Sequence, residues 1–227
     1  MNGITDVFFD LDHTLWDFDR NSKLAFERIF QKHQINLRLE EFLNIYEPIN
    51  FEYWKMYREE RISKTDLRRG RFRDAFQPFG ISFDDWEVDQ LATDYIDELP
   101  KDNHLFNGAI ELLNYLHNKY KLHIITNGFE EVQHLKLKNS KIENFFKTVT
   151  TSEEAGVKKP NPVIFNLALE KATTSPKKSI MIGDTFEADI LGAEAVGMKT
   201  LFYNYRSDSV PEHYPIVDDI IEIRKFL

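Results

Sequence analysis

The run Val7-Phe8-Phe9-Asp10-Leu11-Asp12-His13-Thr14-Leu15 drives an apolar segment into two aspartates only two positions apart. Carboxylates that close repel each other, and neither belongs in a core unless something compensates its charge. The remainder of the chain offers candidates. Thr126-Asn127-Gly128 follows a second apolar run, Lys158-Lys159-Pro160 follows a third, and Gly183-Asp184 follows a fourth, with Asp189 further on. Acids, a hydroxyl and a lysine together suit a divalent cation with a phosphate. Magnesium takes oxygen ligands, keeps waters and often shares its shell with substrate phosphate. Asp10 and Asp184 would hold it, relieving the repulsion. Lys159 and the Thr126 hydroxyl, with Asn127 beside it, would grip phosphate oxygens, each ahead of a helix whose N-terminus favours anions. Phosphoryl transfer asks mainly for positioning and charge neutralisation, and this set supplies both.

Such residues converge only if one fold brings their segments together. Short apolar runs at 6–9, 122–126, 147–151, 179–183 and 200–203 predict buried parallel strands. Helical patterns follow three of them, at 129–140, 161–172 and 186–197. Asn161 is placed to cap the second with Pro162 at its first position, and Gly197 to close the third. Strand and helix alternating in this way predict an α/β fold, a doubly wound, Rossmann-like parallel sheet, which binds ligands beyond the carboxyl ends of its strands. Each polar feature above lies at such an end. Residues 16–99 break the rhythm. They contain helical stretches at 22–33, 65–76 and 84–99, the last with Val88, Leu91, Tyr95 and Leu99 on one face. The expected organisation is a core of residues 1–15 and 100–227 with a helical domain, 16–99, inserted after the first strand.

Composition narrows the classes further. Of 227 residues, 42% are hydrophobic and 30% charged, enough for a substantial core and too apolar for wholesale disorder. A formal charge of −9 argues against polymeric nucleic acid or an anionic membrane as partner, while leaving room for a small phosphorylated ligand. There is no cysteine, so neither disulfides nor thiolate metal sites are available. The N-terminus carries no readable secretory signal, and no segment approaches the ~20 apolar residues of a membrane-spanning helix. A soluble, cytoplasmic protein is expected.

In order, Asp10-Leu11-Asp12-His13-Thr14, Thr126-Asn127-Gly128, Lys159-Pro160 and Gly183-Asp184-Thr185-Phe186-Glu187-Ala188-Asp189 resemble the four motifs of the haloacid dehalogenase superfamily of phosphohydrolases. The resemblance covers nearly the whole chain, and the helical insertion is similar to that family's C1 cap. More narrowly, "TLWDFD", "GRFRDAF", "ITNGF", "SEEAGVKKPNPVIF" and "GDTFEADILGA" resemble the pyrimidine 5′-nucleotidase branch. The resemblance implies that Asp10 is the nucleophile, forming an aspartyl-phosphate. It implies that Asp12 is the general acid and base, its backbone carbonyl facing Mg²⁺. Thr126 and Lys159 would stabilise the transferring group, Lys159 also restraining Asp10. Asp184 would bind Mg²⁺, and Asp189 would serve as a ligand through water or as support. The family pattern selects Lys159 over its neighbour Lys158. An acid at position 12 speaks for phosphatase rather than dehalogenase chemistry, because an alkoxide must be protonated.

The implied activity is hydrolysis of nucleoside 5′-monophosphates, pyrimidine ones such as UMP, dUMP and dTMP. A phosphatase for phosphoglycolate or a sugar phosphate, or a phosphomutase, is the alternative within the fold. A non-catalytic nucleotide-binding protein is the alternative outside it, set against the presence of every chemical residue. Plainer readings accompany several features. His13 reads as a spacer, and Asp189 would also serve as a first-turn acid on its helix. Leu67-Arg68-Arg69-Gly70-Arg71-Phe72-Arg73 is either a cationic patch or a solvated face with Phe72 and Phe76 turned inward. Phe18, Phe51, Tyr53, Trp54 and Tyr57 are either cap core or include a ring that stacks on a base.

Overall fold

A computed structural model describes residues 3–227; Met1 and Asn2, which head the expected core, lie outside the described residues. Along the chain, β1 (Asp6–Phe9) is followed by α1 (Phe18–Lys32), α2 (Leu39–Arg58), α3 (Lys64–Phe76), α4 (Asp85–Glu98) and α5 (Ala109–His117). Then come β2 (Lys121–Thr126), α6 (Glu130–Asn139), β3 (Phe146–Thr151), the short α7 (Ser152–Ala155) and α8 (Pro162–Ala172). The last part of the chain holds β4 (Ser179–Gly183), a π-helical turn (Phe186–Leu191) running into α9 (Gly192–Ala195), β5 (Lys199–Tyr203), β6 (Ile216–Val217) and a closing 3-10 helix (Ile220–Lys225). It divides into two compact units. One comprises the residues before Asp19 together with Asn103–Leu227, and the other is Asp19–Asp102.

The first unit is built on a six-stranded sheet in the order β3-β2-β1-β4-β5-β6, every neighbouring pair parallel. β1 is buried along its whole length, as an Asp-Val-Phe-Phe run in a central strand requires. One face of the sheet packs Phe8, Ile125 and Met181 against Ile164, Phe165, Ala168 and Leu169 of α8. Asn161 caps that helix by accepting the Val163 N–H, with Pro162 at its first position. The helical pattern expected at 186–197 instead divides into a π turn and a single α turn, ending at Gly197 with φ +84°. β6 was not expected, since two residues are too short to register as an apolar run. The chain passes from β1 outward through β2 and β3, then returns to place β4 on β1's other side. The switch point therefore falls between β1 and β4.

The second unit is all helical, and aromatic rings make its core. Phe26, Phe42, Tyr46, Phe72, Phe76 and Tyr95 are all buried, with Phe26–Tyr46 and Phe42–Phe76 centroids 4.6 Å apart. Val88, Leu91, Tyr95 and Leu99 are buried along one side of α4 and the turn that follows it. Ser63 with Asp66 and Asp84 with Glu87 form capping boxes that start α3 and α4. The basic run 67–73 is not a free cationic patch. Arg69 is bound to Asp89 (2.5 Å), Arg73 to Asp85, and Phe72 and Phe76 face inward. Of the other aromatics, Phe51 is exposed, Tyr53 donates to Asp74 (2.7 Å), and Trp54 packs edge-on to Tyr57. Among the described residues no helix is long and apolar enough to cross a membrane.

Candidate active site

Asp10 is the first residue beyond β1, and its N–H donates to the Ile182 carbonyl of β4 (2.9 Å). That continues the parallel ladder and sets Asp10 level with Gly183, with Asp184 next along the chain. Asp10, Asp184 and Asp189 each bring a carboxylate oxygen within 4.8 Å of the others, and all three residues are buried. Asp189 reaches the group because residue 183 is glycine; a Cβ there would strike the Asp189 carboxyl group.

Lys159 is the cation among these acids. Its Nζ donates to Asp10 Oδ1 (2.5 Å), Asp189 Oδ1 (2.6 Å) and the Ile125 carbonyl (2.8 Å), which uses all three ammonium protons. Burial favours discharging this lysine, but Asp10 and Asp189 outweigh it and hold its pKa above the ordinary value. The Asp10 carboxyl is pushed up to about 7, chiefly by burial, with Lys159 opposing and Asp189 adding to it. Asp184 is raised well above the usual carboxylate range, again by burial first and then by Asp10 and Asp189.

Three acids around one lysine leave the group short of positive charge. The deficit is visible at Asp184. Thr14 donates to its Oδ1 (3.3 Å), while its buried Oδ2 accepts no hydrogen bond among the described residues, and Arg206 Nη1 stands off at 3.6 Å. An orphaned, buried carboxylate oxygen in an all-oxygen donor set is what a magnesium ion fits. Asp10 and Asp184 are placed to take it. Asp189 already accepts Lys159 on Oδ1 and the Thr185 N–H on Oδ2 (3.0 Å), which suits it to support more than to direct ligation.

Thr126, at the end of β2, accepts from the Gly128 N–H (3.1 Å) and from Gln133 Nε2 (2.7 Å). Both lone pairs are in use, so the hydroxyl proton is the part left to donate, as a phosphate oxygen requires. The Asn127 amide accepts the Lys159 N–H (2.8 Å) and donates to the Lys159 carbonyl (3.0 Å), strapping the lysine's backbone. A planar amide matches a peptide unit in this way with one of its two protons, and the second proton is left to donate, as a phosphate oxygen requires.

The Asp12 carboxylate is not part of the three-acid group. Lys136 Nζ donates to its Oδ1 (2.5 Å) and Gln133 Nε2 to its Oδ2 (3.0 Å). His13 is more than a spacer. It adopts φ +63°, its ring lies 4.8 Å from that of Phe18, and Tyr205 Oη and Arg206 Nη2 each stand 2.8 Å from its Nδ1. Burial, then Arg206 and Lys136, hold the His13 pKa well below the ordinary histidine value, so the ring is a neutral acceptor.

Gln133 and Lys136 escaped sequence reasoning, although a signal was there. Phe129, which caps α6, and Val132, Gln133, Lys136 and Leu137 within it fall at i, i+3, i+4, i+7 and i+8, and all five are buried. Two polar residues occupy an apolar stripe, and polar residues in such places need partners.

The haloacid dehalogenase-like hydrolase family matches residues 7–203. A pyrimidine 5′-nucleotidase, YjjG of Escherichia coli strain K12, is 33% identical over 91% of this chain and 88% of its own. A glyceraldehyde 3-phosphate phosphatase of Methanothermobacter thermautotrophicus is 29% identical over 97% of this chain and 98% of its own. Among solved structures, the magnesium-bound HAD-hydrolase YfnB of Bacillus subtilis superposes with a TM-score of 0.89. It shares 26% identity, and 98% of each chain is covered.

Proposed function

We propose that this chain, which belongs to the haloacid dehalogenase-like hydrolase family, is a magnesium-dependent phosphomonoesterase acting on pyrimidine nucleoside 5′-monophosphates. The observation that carries the reading is the charge-deficient group of Asp10, Asp184 and Asp189 around Lys159 at the switch point of the sheet. Such a group disfavours its own ionisation, and a cation with a phosphate relieves it. The helical unit, inserted in the chain after β1, is read as the cap, with residues 16–99 as its extent.

Asp10 is the nucleophile. Its carboxylate oxygen attacks phosphorus, the bond from phosphorus to the ribose 5′-oxygen breaks, and Asp12 gives its proton to that leaving oxygen. Water then attacks the phosphorylated Asp10 and loses a proton to Asp12, and inorganic phosphate departs. The Thr126 proton is directed to a phosphoryl oxygen. Lys159, with its protons committed, holds Asp10 in line and offsets its charge; a direct grip on phosphate would require one of its bonds to be exchanged. Asp10, Asp184 and the Asp12 backbone carbonyl would hold magnesium, which when bound would supply positive charge against the phosphate and the attacking carboxylate.

The pyrimidine preference is supported by the likeness to a pyrimidine 5′-nucleotidase. The glyceraldehyde 3-phosphate phosphatase, similar over nearly the whole chain, supports a small sugar phosphate as the second reading. Phosphate release from UMP, dUMP, dTMP, CMP, AMP, GMP, glyceraldehyde 3-phosphate and phosphoglycolate, with magnesium and with EDTA, separates the two. The expected result is fastest release from uracil and thymine nucleotides, abolished by EDTA and by Asp10→Asn. Preference for glyceraldehyde 3-phosphate selects the second reading, and turnover by Asp10→Asn removes Asp10 from its role.

A further inference from the structure

Resting on the phosphomonoesterase reading, we infer that Lys136 and Gln133 are positioning residues that hold the Asp12 carboxylate for both of its proton transfers. Neither belongs to the segments whose order and spacing drew attention to the site.

Lys136 is 2% exposed and Gln133 fully buried. An ammonium taken out of water costs several kcal/mol unless an anion answers it. On α6 the answer is Asp12, whose Oδ1 accepts from Lys136 Nζ at 2.5 Å. The aromatic rings of the segment after β1 complete the lysine's surroundings, with Nζ 4.3 Å from the Trp16 centroid and 5.2 Å from that of Phe18. Gln133 uses one nitrogen to bridge Asp12 Oδ2 (3.0 Å) and Thr126 Oγ1 (2.7 Å). The proton-handling carboxylate and the hydroxyl directed at phosphate are thus tied to one side chain, which sets their separation. Gly128 makes room for it, since a Cβ at 128 would land on the Gln133 amide.

The two bonds differ in kind. Oδ1 is bound to a cation and stays put. Oδ2 meets only a neutral amide, shared with Thr126, and is the oxygen left to exchange protons. The Asp12 side chain is 20% exposed, so without these partners it would rotate among solvated rotamers. A displacement of about 1 Å at a reacting group costs on the order of 10²-fold in rate.

The test exploits a leaving group that needs no proton. With p-nitrophenyl phosphate, nitrophenolate departs unaided when Asp10 attacks, while water's attack on phosphorylated Asp10 still requires Asp12. Lys136→Met is therefore expected to leave kcat/KM for this substrate within about threefold of wild type and lower its kcat ~10²-fold. A pre-steady-state burst of nitrophenolate should appear. With UMP, where both halves need Asp12, kcat and kcat/KM fall together by ~10²-fold. A merely structural role for Lys136 would depress kcat/KM on both substrates alike. If Lys136→Met fails to fold by circular dichroism melting, Lys136→Gln, which keeps a donor without the charge, should show the same split with a drop of about tenfold.

Loss of the burst, equal losses on both substrates, or unchanged kinetics overturns the inference alone. Wild-type protein that releases no phosphate from either substrate overturns the phosphomonoesterase reading and this inference with it.

Discussion

Both units bury cations, and Lys159 of the sheet unit and Arg71 of the helical unit are treated in opposite ways. Lys159, at the mouth of the sheet, meets two carboxylates and a carbonyl, more negative charge than it can balance. Arg71, in the helical unit, is 1% exposed and has no such company. Its Nη1 donates to Asn50 Oδ1 (2.9 Å), its guanidinium carbon lies 5.4 Å from the Phe72 centroid and 5.0 Å from that of Tyr95, and its Nε and Nη2 have no hydrogen-bond partner among the described residues. Several other charges of the helical unit sit in ion pairs nearer the surface, as Arg69 does with Asp89 and Arg28 with Glu98. Around Arg71 rings surround the charge, whereas around Lys159 like charges are gathered and left unrelieved, the arrangement expected where a ligand is to be bound.

Removing the two cations should therefore have unequal consequences. Lys159→Met strands Asp10 and Asp189 without a counter-ion, and breaking a buried pair from one side costs about 3–5 kcal/mol. The urea midpoint near neutral pH should fall accordingly. Arg71→Met deletes a desolvated charge that has one hydrogen bond and two ring contacts, so stability should stay within about 1 kcal/mol of the parent. Equal losses in the two variants would dissolve the contrast and make Arg71 an anchor of its unit.

A finer test uses pH. His123, buried on β2, stacks on Phe8 and contacts Asp6 (3.2 Å) and Thr148 (2.8 Å). Burial lowers its pKa from the ordinary 6.5, with Asp6 only partly opposing. As pH falls below 6.5 the unfolded chain takes up a proton that folded His123 resists, so the sheet loses stability. In the helical unit, burial tends to raise Asp94, but hydrogen bonds from Lys32 and His33 outweigh it and hold its pKa below 3.8. That contribution is present above the ordinary carboxylate value and lost only as pH falls below it. Between pH 7 and 5, His123 and His13 pull the urea midpoint down, while the raised carboxyls of Asp10 and Asp184, which take up protons first in the folded state, push it up. The check is therefore a difference: relative to the parent, the His123→Gln midpoint should lose less, or gain more, as pH falls from 7 to 5. An equal change in variant and parent would assign the acid sensitivity elsewhere.

Where the sequence was readable, a local rule was enough. β1 announced itself as four apolar-flanked residues ending in acids, α8 by Asn161-Pro162, and α4 by its stripe of Val88, Leu91, Tyr95 and Leu99. Elsewhere the outcome depended on partners distant in the chain. β6 exists only because β5 offers an edge to pair with. Asn127 sits in the expected motif, and its amide straps the backbone of Lys159, 32 positions away. Lys136 is one of two lysines on α6, and its burial is explained only by Asp12, 124 positions earlier in the chain.

By itself the sequence determined the α/β class, the strand ends that carry Asp10, Thr126 and Asp184, the loop that carries Lys159, and the presence of a helical insertion. Those follow from periodicity and turn chemistry, which act over a few residues. Only the tertiary structure decided how the charges are shared. It set Lys159 against Asp10 and Asp189, gave Asp12 to Lys136 and Gln133, and left one Asp184 oxygen without a hydrogen bond among the described residues. The physical reason is the range of the forces involved. Apolar patterning is written residue by residue, whereas electrostatic pairing depends on distance and burial, which exist only once the strands have been laid side by side.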